Sequence, residues 1–348
     1  MRDIDKKLIE SVKNGNLIVV KELLKNPKIN VNFKDEKESY FCYSVSIDTA
    51  NNGDWTPLHY ASRNSRFDKK EIYFEIVKLL IEKGADVNIQ NKDNFTPLHY
   101  AVISRDKEIV KLFLENNANP NIQDKYGITP LNWTVMYSIN LDIIKILIKH
   151  GANPNIQDNH PISPLYRIIE TDCKMLDNPY VGNYYFDVIK EFLNHKDIDV
   201  NQKNYKLKNE TILHLAVRNG HVKIVKELLE NEKININLQD KEGNTVWYLA
   251  NKNGHIKIIQ ELLKRKDLHL EKEEKIKVLN KQYIENQEKI VEEIQKENWD
   301  EVIKMSKICK KIKDFRANSW EEIQKDIKDL SLQNQPSTSG YKPISPKM

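Results

Sequence analysis

Cysteine, glycine and arginine are scarce in this chain of 348 residues, and long apolar runs are absent. A transmembrane helix needs about 18 or more consecutive apolar residues, and no window of the sequence approaches that length. The charged N-terminus leads into no apolar segment, so we expect no classical signal peptide. The sequence therefore predicts a soluble protein without a transmembrane segment.

The 3 cysteines lie too far apart to indicate a metal or redox site. Cys42, Cys173 and Cys309 are separated by more than a hundred residues each, whereas zinc ligands and redox pairs are closely spaced. An odd and scattered set is typical of reduced thiols. We therefore expect the protein to work in a cytosol.

Arginine makes up only 8 of the 55 basic residues, which stand against 51 acidic ones for a net charge of +4. Proteins that read nucleic acids usually cluster basic residues, Arg above all, on one face. A small excess of scattered Lys does not fit that pattern. The charge balance therefore argues against a nucleic-acid partner.

The 10 glycines and 9 histidines do not form a recognisable chemical motif. A phosphate-binding loop needs several glycines close together, and a zinc site needs closely spaced ligands. Neither pattern occurs, so the sequence predicts no nucleotide cofactor, no metal site and no catalytic residues. We expect a protein that is not an enzyme.

A repeated motif, in contrast, is plain. Thr56-Pro57-Leu58-His59-Tyr60-Ala61 recurs as Thr96 to Ala101, and weaker copies begin at Thr129, Ser163, Thr211 and Thr245. The intervals between the Thr or Ser positions are 40, 33, 34, 48 and 34, which indicates a unit of 33 residues with two insertions. The insertions fall at about 65–73 and 174–185. Repeats of this length are typical of solenoid proteins.

Each unit predicts a hairpin tip, a short helix, a tight turn, a longer helix and a loop. Thr at the N-cap and Pro at the first helical position favour the start of the short helix. Gly84 and Gly151 are predicted to end the longer helices in the left-handed conformation. Residues 1–36 fit an atypical capping unit, as expected at the end of an array.

This pattern resembles the ankyrin repeat family over roughly residues 1–267. The resemblance implies an all-α repeat solenoid of helix-turn-helix units with β-hairpin loops. We divide the chain into a capping repeat (1–36), a connecting insertion (37–50), the repeat array (51–267), a helical extension (268–333) and a disordered tail (334–348). The extension is predicted from amphipathic stripes and a capping box at Ser319.

The resemblance also implies that a protein partner binds on the concave surface, through the hairpin tips and the exposed ends of the first helices. Read across to this chain, those positions are Trp55, Arg63, Phe95, Ile103, Tyr126, Ile128, Met136, Tyr137, His160 and Ile162. An apolar run bordered by charge has the composition of an interface core. The alternative is that Phe95, Ile128 and Ile162 pack against neighbouring tips.

The sequence therefore predicts a monomeric, non-enzymatic scaffold for protein–protein interaction. Its preference for Lys over Arg, with abundant Asn and Ile, indicates an AT-rich genome, and ankyrin arrays of such genomes suggest an effector delivered into a host cytosol. A second hypothesis makes the extension a membrane- or nucleic-acid-binding module that the repeats target. Its basic cluster comprises Lys307, Lys310, Lys311, Lys313 and Arg316.

Overall fold

The computed structural model describes residues 3–35, 53–65, 69–170, 181–206 and 208–270. These residues form fourteen helices and no strand longer than an isolated bridge, which confirms the predicted all-α repeat fold. The helices are α1 Asp3–Lys13, α2 Leu17–Leu23, α3 Pro57–Asn64, α4 Lys70–Glu82, α5 Pro97–Ile103, α6 Lys107–Glu115, α7 Pro130–Ser138, α8 Leu141–Lys149, α9 Pro164–Glu170, α10 Val181–Leu193, α11 Ile212–Arg218, α12 Val222–Glu230, α13 Val246–Lys252 and α14 Ile256–Leu263.

The helices come in pairs: α1 and α2 form the capping repeat, and repeats 1 to 6 follow from α3–α4 to α13–α14. Each first helix begins directly after the Thr or Ser of the repeated motif. Thr56, for example, has extended backbone angles (φ −96°, ψ 164°), and Pro57 takes the first helical position. The motif therefore starts helices as the sequence predicted.

Three of the second helices, α2, α6 and α8, start at Asp or Asn residues whose side chains satisfy free backbone amides. The Asp106 side chain accepts a hydrogen bond from the Ile109 N–H at 3.1 Å, and the Asn140 side chain accepts one from the Ile143 N–H at 3.1 Å. Gly84 and Gly151 follow α4 and α8 with φ of 82° and 85°. The prediction that they end helices in the left-handed conformation is confirmed.

From the capping repeat to repeat 4, each helix packs against its counterpart in the next repeat. The first helices form one row, in which α5 contacts α3 and α7, and the second helices form another, in which α6 contacts α4 and α8. Leu98 on α5 and Leu131 on α7 are completely buried between repeats. The core is therefore a thin layer shared by neighbours, as expected for a repeat stack.

The chain divides into two compact regions. The first comprises Met1–Ile234 with Gln239–Gly243, and the second comprises Asn235–Leu238 with Asn244–Met348. In the first region, α1 to α12 form the two rows. In the second, α13 packs against α14.

Several predicted segments lie outside the described residues. They are the whole connecting insertion at 37–50, most of the insertion at 174–185, nearly all of the extension and the tail. The predicted domain boundaries therefore stay predictions. The predicted insertions at 65–73 and 174–185 both need a correction, because α4 already begins at Lys70 and α10 at Val181, so the last residues of each insertion belong to a helix.

Candidate protein-interaction surface

The hairpin tips of repeats 2 to 5 comprise residues 91–95, 124–128, 158–162 and 204–210. Each tip is closed by one backbone hydrogen bond, such as that from the Asp124 N–H to the Ile128 carbonyl at 3.0 Å. Successive tips are also joined. The Lys125 N–H donates to the Asp93 carbonyl at 3.0 Å, and the Asn159 N–H donates to the Tyr126 carbonyl at 2.9 Å. The tips thus form a backbone-linked row.

Four of the ten predicted partner-binding residues lie in the interior, contrary to the expected exposed apolar run. Trp55, Phe95, Ile128 and Ile162 are between 1% and 8% exposed. Each is the apolar residue directly before the Thr or Ser N-cap, and at this position the side chain turns under the tip onto the first helices. Their burial corrects the expected exposure and agrees with the alternative of packing between repeats.

The buried aromatic rings form a chain that runs through three repeats. The Trp55 ring lies 4.4 Å from the Tyr100 ring, and Phe95 stacks on Tyr100 at 5.3 Å. Phe95 also contacts Trp133 at 5.3 Å, and Trp133 stacks on Tyr137 at 4.7 Å. Such contacts stabilise the packing between repeats and hold the tips above them in place.

The other six predicted residues reach the surface of the first region. The Arg63 guanidinium lies over the Trp55 ring, 5.7 Å from its centroid, and the Lys125 ammonium lies 4.9 Å from the centre of the Tyr126 ring. His160 is exposed at tip 4. The remaining members, Ile103, Met136 and Tyr137, are half-buried near the ends of α5 and α7. Partner binding by these residues stays a prediction.

Charge is distributed unevenly between the inside and the outside of the tips. Tips 2 to 5 each contain one acidic side chain, and all four are buried: Asp93, Asp124, Asp158 and Glu210. The charged side chains that reach solvent in the described part of these tips are lysines: Lys92, Lys125, Lys206 and Lys208.

Internal partners explain why the carboxylates are buried. Asp124 accepts hydrogen bonds from the backbone of Ile128 at 2.9 Å and from the indole of Trp133 at 2.7 Å. Asp158 pairs with Arg167 at 2.6 Å, and Glu210 pairs with Arg218 at 2.7 Å. Burial raises the pKa of the Asp124 carboxyl, while the hydrogen bonds from the Ile128 N–H and the Trp133 indole lower it. The tip acids thus support the turns.

Lys125 pairs with the buried Asp93 at 2.7 Å, whereas Lys92, Lys206 and Lys208 have more open environments. Lys92 pairs with Asp54 at 3.8 Å and Lys208 with Glu242 at 2.8 Å, both with side chains roughly half exposed. Ion pairs this exposed contribute little to stability and are screened by salt. The Lys206 ammonium donates to the Asn159 carbonyl. These cations are therefore accessible to a partner.

Two surface residues escaped the sequence prediction. Tyr205, in tip 5, is 71% exposed, and its neighbour Lys206 is exposed as well. Tip 5 is two residues longer than tips 2 to 4, so alignment on the repeated motif did not reveal that Tyr205 lies at its outer end. The sequence feature that could have revealed Tyr205 is the extra length of tip 5 between Asn204 and Glu210.

No group of three or more His, Cys, Asp or Glu side chains is placed to hold a metal ion in the part of the chain that the structure describes. None of the described helices is both long and apolar enough to span a bilayer.

Comparison with known proteins identifies what the repeats are similar to. A family model described as ankyrin repeats matches the chain in three copies, at residues 5–91, 69–158 and 180–272, which together cover more than half of it. An ankyrin repeat protein of Rickettsia felis is 44% identical over 78 residues, which is 22% of this chain and 32% of that protein.

Two further relatives match over shorter shares of their length. An ankyrin repeat protein of vaccinia virus is 40% identical over 60 residues, or 17% of this chain and 10% of the viral protein. The human 2-5A-dependent ribonuclease is 35% identical over 97 residues, or 28% of this chain and 10% of the human protein. The chain thus spans about a third of the first relative and a tenth of the other two.

Proposed function

The chain belongs to the ankyrin repeat family, and from this we propose that it is a non-enzymatic scaffold that binds a protein partner. The binding surface is formed by the hairpin tips and the C-terminal ends of the first helices in repeats 1 to 5. Its members are Arg63, Ile103, Tyr126, Met136, Tyr137 and His160, extended by Tyr205 and Lys206. Ankyrin repeats are modules of protein–protein interaction.

The observation that carries this proposal is the uneven distribution of charge at the tips. The acidic side chains there are buried and bonded internally, while lysines, Tyr126, His160 and Tyr205 reach solvent. Aromatic side chains are enriched in interface cores, where they supply large contact area at a low entropic cost. A surface of this kind favours a partner with acidic and apolar groups.

Pre-organisation of the tips supports the same proposal. Backbone hydrogen bonds join tip 2 to tip 3 and tip 3 to tip 4, and the aromatic chain below them packs against the first helices. A partner that binds to fixed groups loses less conformational freedom than one that must order a loop. The scaffold is thus suited to binding, with no chemical step required.

We further propose that the partner is a host protein and that the chain acts in a host cytosol. The relatives in Rickettsia felis and vaccinia virus support this, since both organisms live in association with host cells. The AT-rich codon preference inferred from the Lys, Asn and Ile content supports it as well. The wide spacing of the cysteines, which predicts reduced thiols, fits a cytosolic site of action.

The test is affinity capture from host-cell lysate with the full chain and the double variant Tyr126→Ala/His160→Ala. We expect the variant to lose about tenfold in affinity for the captured protein, because aromatic groups at an interface carry a large share of the binding energy. The melting temperature is expected to change little, since neither side chain is buried.

The matched control is Ile18→Ala, which removes an apolar side chain that is 81% exposed on α2, away from the tips. Its capture should equal that of the unchanged chain. If the double variant captured the same proteins with the same affinity, the tip surface would not be the binding site.

A further inference from the structure

A cleft of about 330 Å³ lies beside the helix turns of repeats 2 to 4. Three elements form it: the turn between α5 and α6, the end of α7 with its turn into α8, and the first turns of α10. Its lining includes Arg105, Met136, Tyr137, Ile139 and Tyr184. This volume is near the lower end for ligand sites and suits one or two side chains of a bound peptide.

Arg105 occupies a backbone position that glycine fills elsewhere in the stack. The residue before the N-cap of the second helix is Gly15 in the capping repeat and Gly220 in repeat 5, with φ of 65° and 75°. Arg105 adopts the same left-handed conformation with φ of 60°. This costs free energy that Gly avoids, and such strain tends to persist where a side chain has a function.

The Arg105 guanidinium also lacks the partner that the neighbouring arginines have. Arg167 and Arg218 hold the carboxylates of Asp158 and Glu210. Among the described residues, Arg105 instead makes one hydrogen bond, from Nη2 to the Tyr137 carbonyl at 3.1 Å. That bond fixes the planar group and leaves four of its five N–H donors for a ligand.

The walls of the cleft are held rigidly. Tyr137 stacks on the buried Trp133 with an interplanar angle of 18°. The Tyr184 hydroxyl accepts a hydrogen bond from the Leu141 N–H at 2.8 Å and donates one to the Ile139 carbonyl at 3.0 Å. Tyr184 thereby fastens α10 to the turn between α7 and α8. Rigid tyrosine rings beside Met136 provide an apolar wall next to a fixed cation.

We propose that this cleft binds an acidic segment of the protein partner. A Glu or Asp carboxylate of that segment pairs with the Arg105 guanidinium, and an adjacent aliphatic or aromatic side chain packs against Tyr137, Met136 and Tyr184. Guanidinium groups bind carboxylates through paired, charge-assisted hydrogen bonds, which gives specificity for an acid over an amide. This inference rests on the proposed function, because it names a second contact of the same partner.

The first experiment selects peptides from a phage-displayed library of random eight-residue sequences against the full chain. The unchanged chain should enrich peptides that carry Asp or Glu next to Leu, Ile, Phe or Tyr. Arg105→Gly removes the charge while relaxing the left-handed backbone, so the variant should fold at least as well and lose this enrichment. Lys111→Gln removes an exposed cation from α6 of the same repeat and should keep it.

The second experiment measures one enriched peptide by fluorescence anisotropy, with blocked termini, in its Glu form and in a Gln form. The unchanged chain should bind the Glu form about tenfold more tightly, as expected for a charge-assisted pair. Arg105→Gly should bind both forms nearly equally. Arg105→Lys, which keeps the charge but not the planar fork, should give an intermediate ratio.

Three outcomes would overturn the proposal: no enrichment of acidic peptides, equal enrichment with Arg105→Gly, or equal loss with Lys111→Gln. The last outcome would mean attraction by overall charge. Failure here is distinguishable from failure of the proposed function, because Tyr126→Ala/His160→Ala changes the tips and leaves the cleft intact. If that variant lost the partner while Arg105→Gly bound acidic peptides unchanged, only the cleft would be excluded.

Discussion

At the scale of single residues, the histidine of the repeated motif joins one repeat to the next. His59 Nδ1 accepts from the Thr56 N–H at 3.1 Å, and His59 Nε2 lies 3.0 Å from the Phe95 carbonyl. Because a backbone N–H can only donate and a carbonyl can only accept, the ring is neutral with its proton on Nε2. His99 makes the same contacts to Thr96 and to Ile128 in tip 3.

These two histidines make the stability of the stack depend on pH. Burial lowers the pKa of His59 to about 4 and that of His99 to about 3, whereas an exposed histidine has a pKa near 6.5. Below pH 6.5 the unfolded chain binds protons that the folded chain does not bind. The contribution of the two neutral rings to the free energy of unfolding is therefore fully present above pH 6.5, and it is lost as the pH is lowered toward 4.

The prediction is that lowering the pH from 7 to 5 costs roughly 2 kcal/mol for each of the two histidines. His99→Asn should remove its share, because Asn does not titrate. Asn132 already occupies this position in repeat 3, where its amide donates to the Ile156 carbonyl at 3.2 Å. The measurement is the free energy of unfolding in urea at both pH values for the unchanged chain and the variant.

Comparing the pH dependence of the two chains cancels the contribution of carboxylates such as Asp124, which both chains share. An equal drop between pH 7 and 5 in the chain with His99→Asn would contradict the assignment of a buried, neutral ring.

The residue scale also shows what the sequence could and could not predict. The role of Thr56 as N-cap and of His59 as a hydrogen-bonding residue follows from a local motif whose geometry hardly varies. The burial of Trp55 and Phe95 does not follow, because an apolar residue at a tip can turn either outward or under the turn. Trp55 and Phe95 are buried because the stacking of repeats brings the rings of Tyr100 and Trp133 into contact with them.

At the scale of elements, glycines of similar backbone conformation experience very different surroundings. Gly127 in tip 3 has φ of 75°, and a Cβ added there would lie 2.6 Å from Asn159 Oδ1 and 2.9 Å from the Asn159 backbone nitrogen. Gly84, after α4, has φ of 82° and no atom within 4 Å of such a Cβ. The first glycine permits two tips to approach, and the second only ends a helix.

We therefore expect Gly127→Ala to destabilise the chain more than Gly84→Ala. Both changes place a side chain in the left-handed region, at a cost of about 1–2 kcal/mol. Gly127→Ala additionally forces tip 4 away and strains the hydrogen bond from the Asn159 N–H to the Tyr126 carbonyl, which should add at least about 1 kcal/mol. Urea unfolding midpoints of the two variants, measured side by side, check the difference, and equal midpoints would contradict it.

Asparagines of the loops that follow the second helices link one repeat to the next. The Asn121 side chain accepts from the Asn153 N–H at 2.7 Å and donates to the Gly151 carbonyl at 2.9 Å. Asn88 makes the equivalent pair of bonds to Asn119 and Asn117. The recurrence of Asn at the loop position of Asn88 and Asn121 can be seen in the sequence. Its hydrogen-bond partners, however, belong to the next repeat, so they depend on the distance between the loops.

At the scale of the whole molecule, the repeat period made the architecture predictable. Six motifs in phase leave few alternatives to a stack, and the helix starts at Pro57, Pro97 and Pro130 agree with the motif. The cleft was not predictable, because it combines Arg105 from one repeat with Tyr184 from two repeats later. The residues that line the cleft come from three repeats, so they are not neighbours in the sequence and no single motif contains them all.

Stability in such a stack is a sum of terms from single repeats and from contacts between neighbours. In the first region, α7 contacts α5 on one side and α9 on the other, so a defect on α7 weakens two interfaces directly. The capping helix α1 packs mainly against α2 and α3. A local defect should therefore have a local effect on opening.

The prediction concerns Leu131→Ala on α7, a completely buried side chain. The change should cost about 2–5 kcal/mol through lost burial and a cavity. Amide hydrogen exchange, followed by mass spectrometry of the full chain, should speed up by at least about tenfold in peptides from α5, α7 and α9. Peptides from α1 should change least, because their contacts lie in repeats that the cavity does not touch. Lys111→Ala, which shortens an exposed side chain on α6, is the control and should change none of these peptides. A uniform acceleration across all described helices with Leu131→Ala would mean that the chain opens as one cooperative globule and not repeat by repeat.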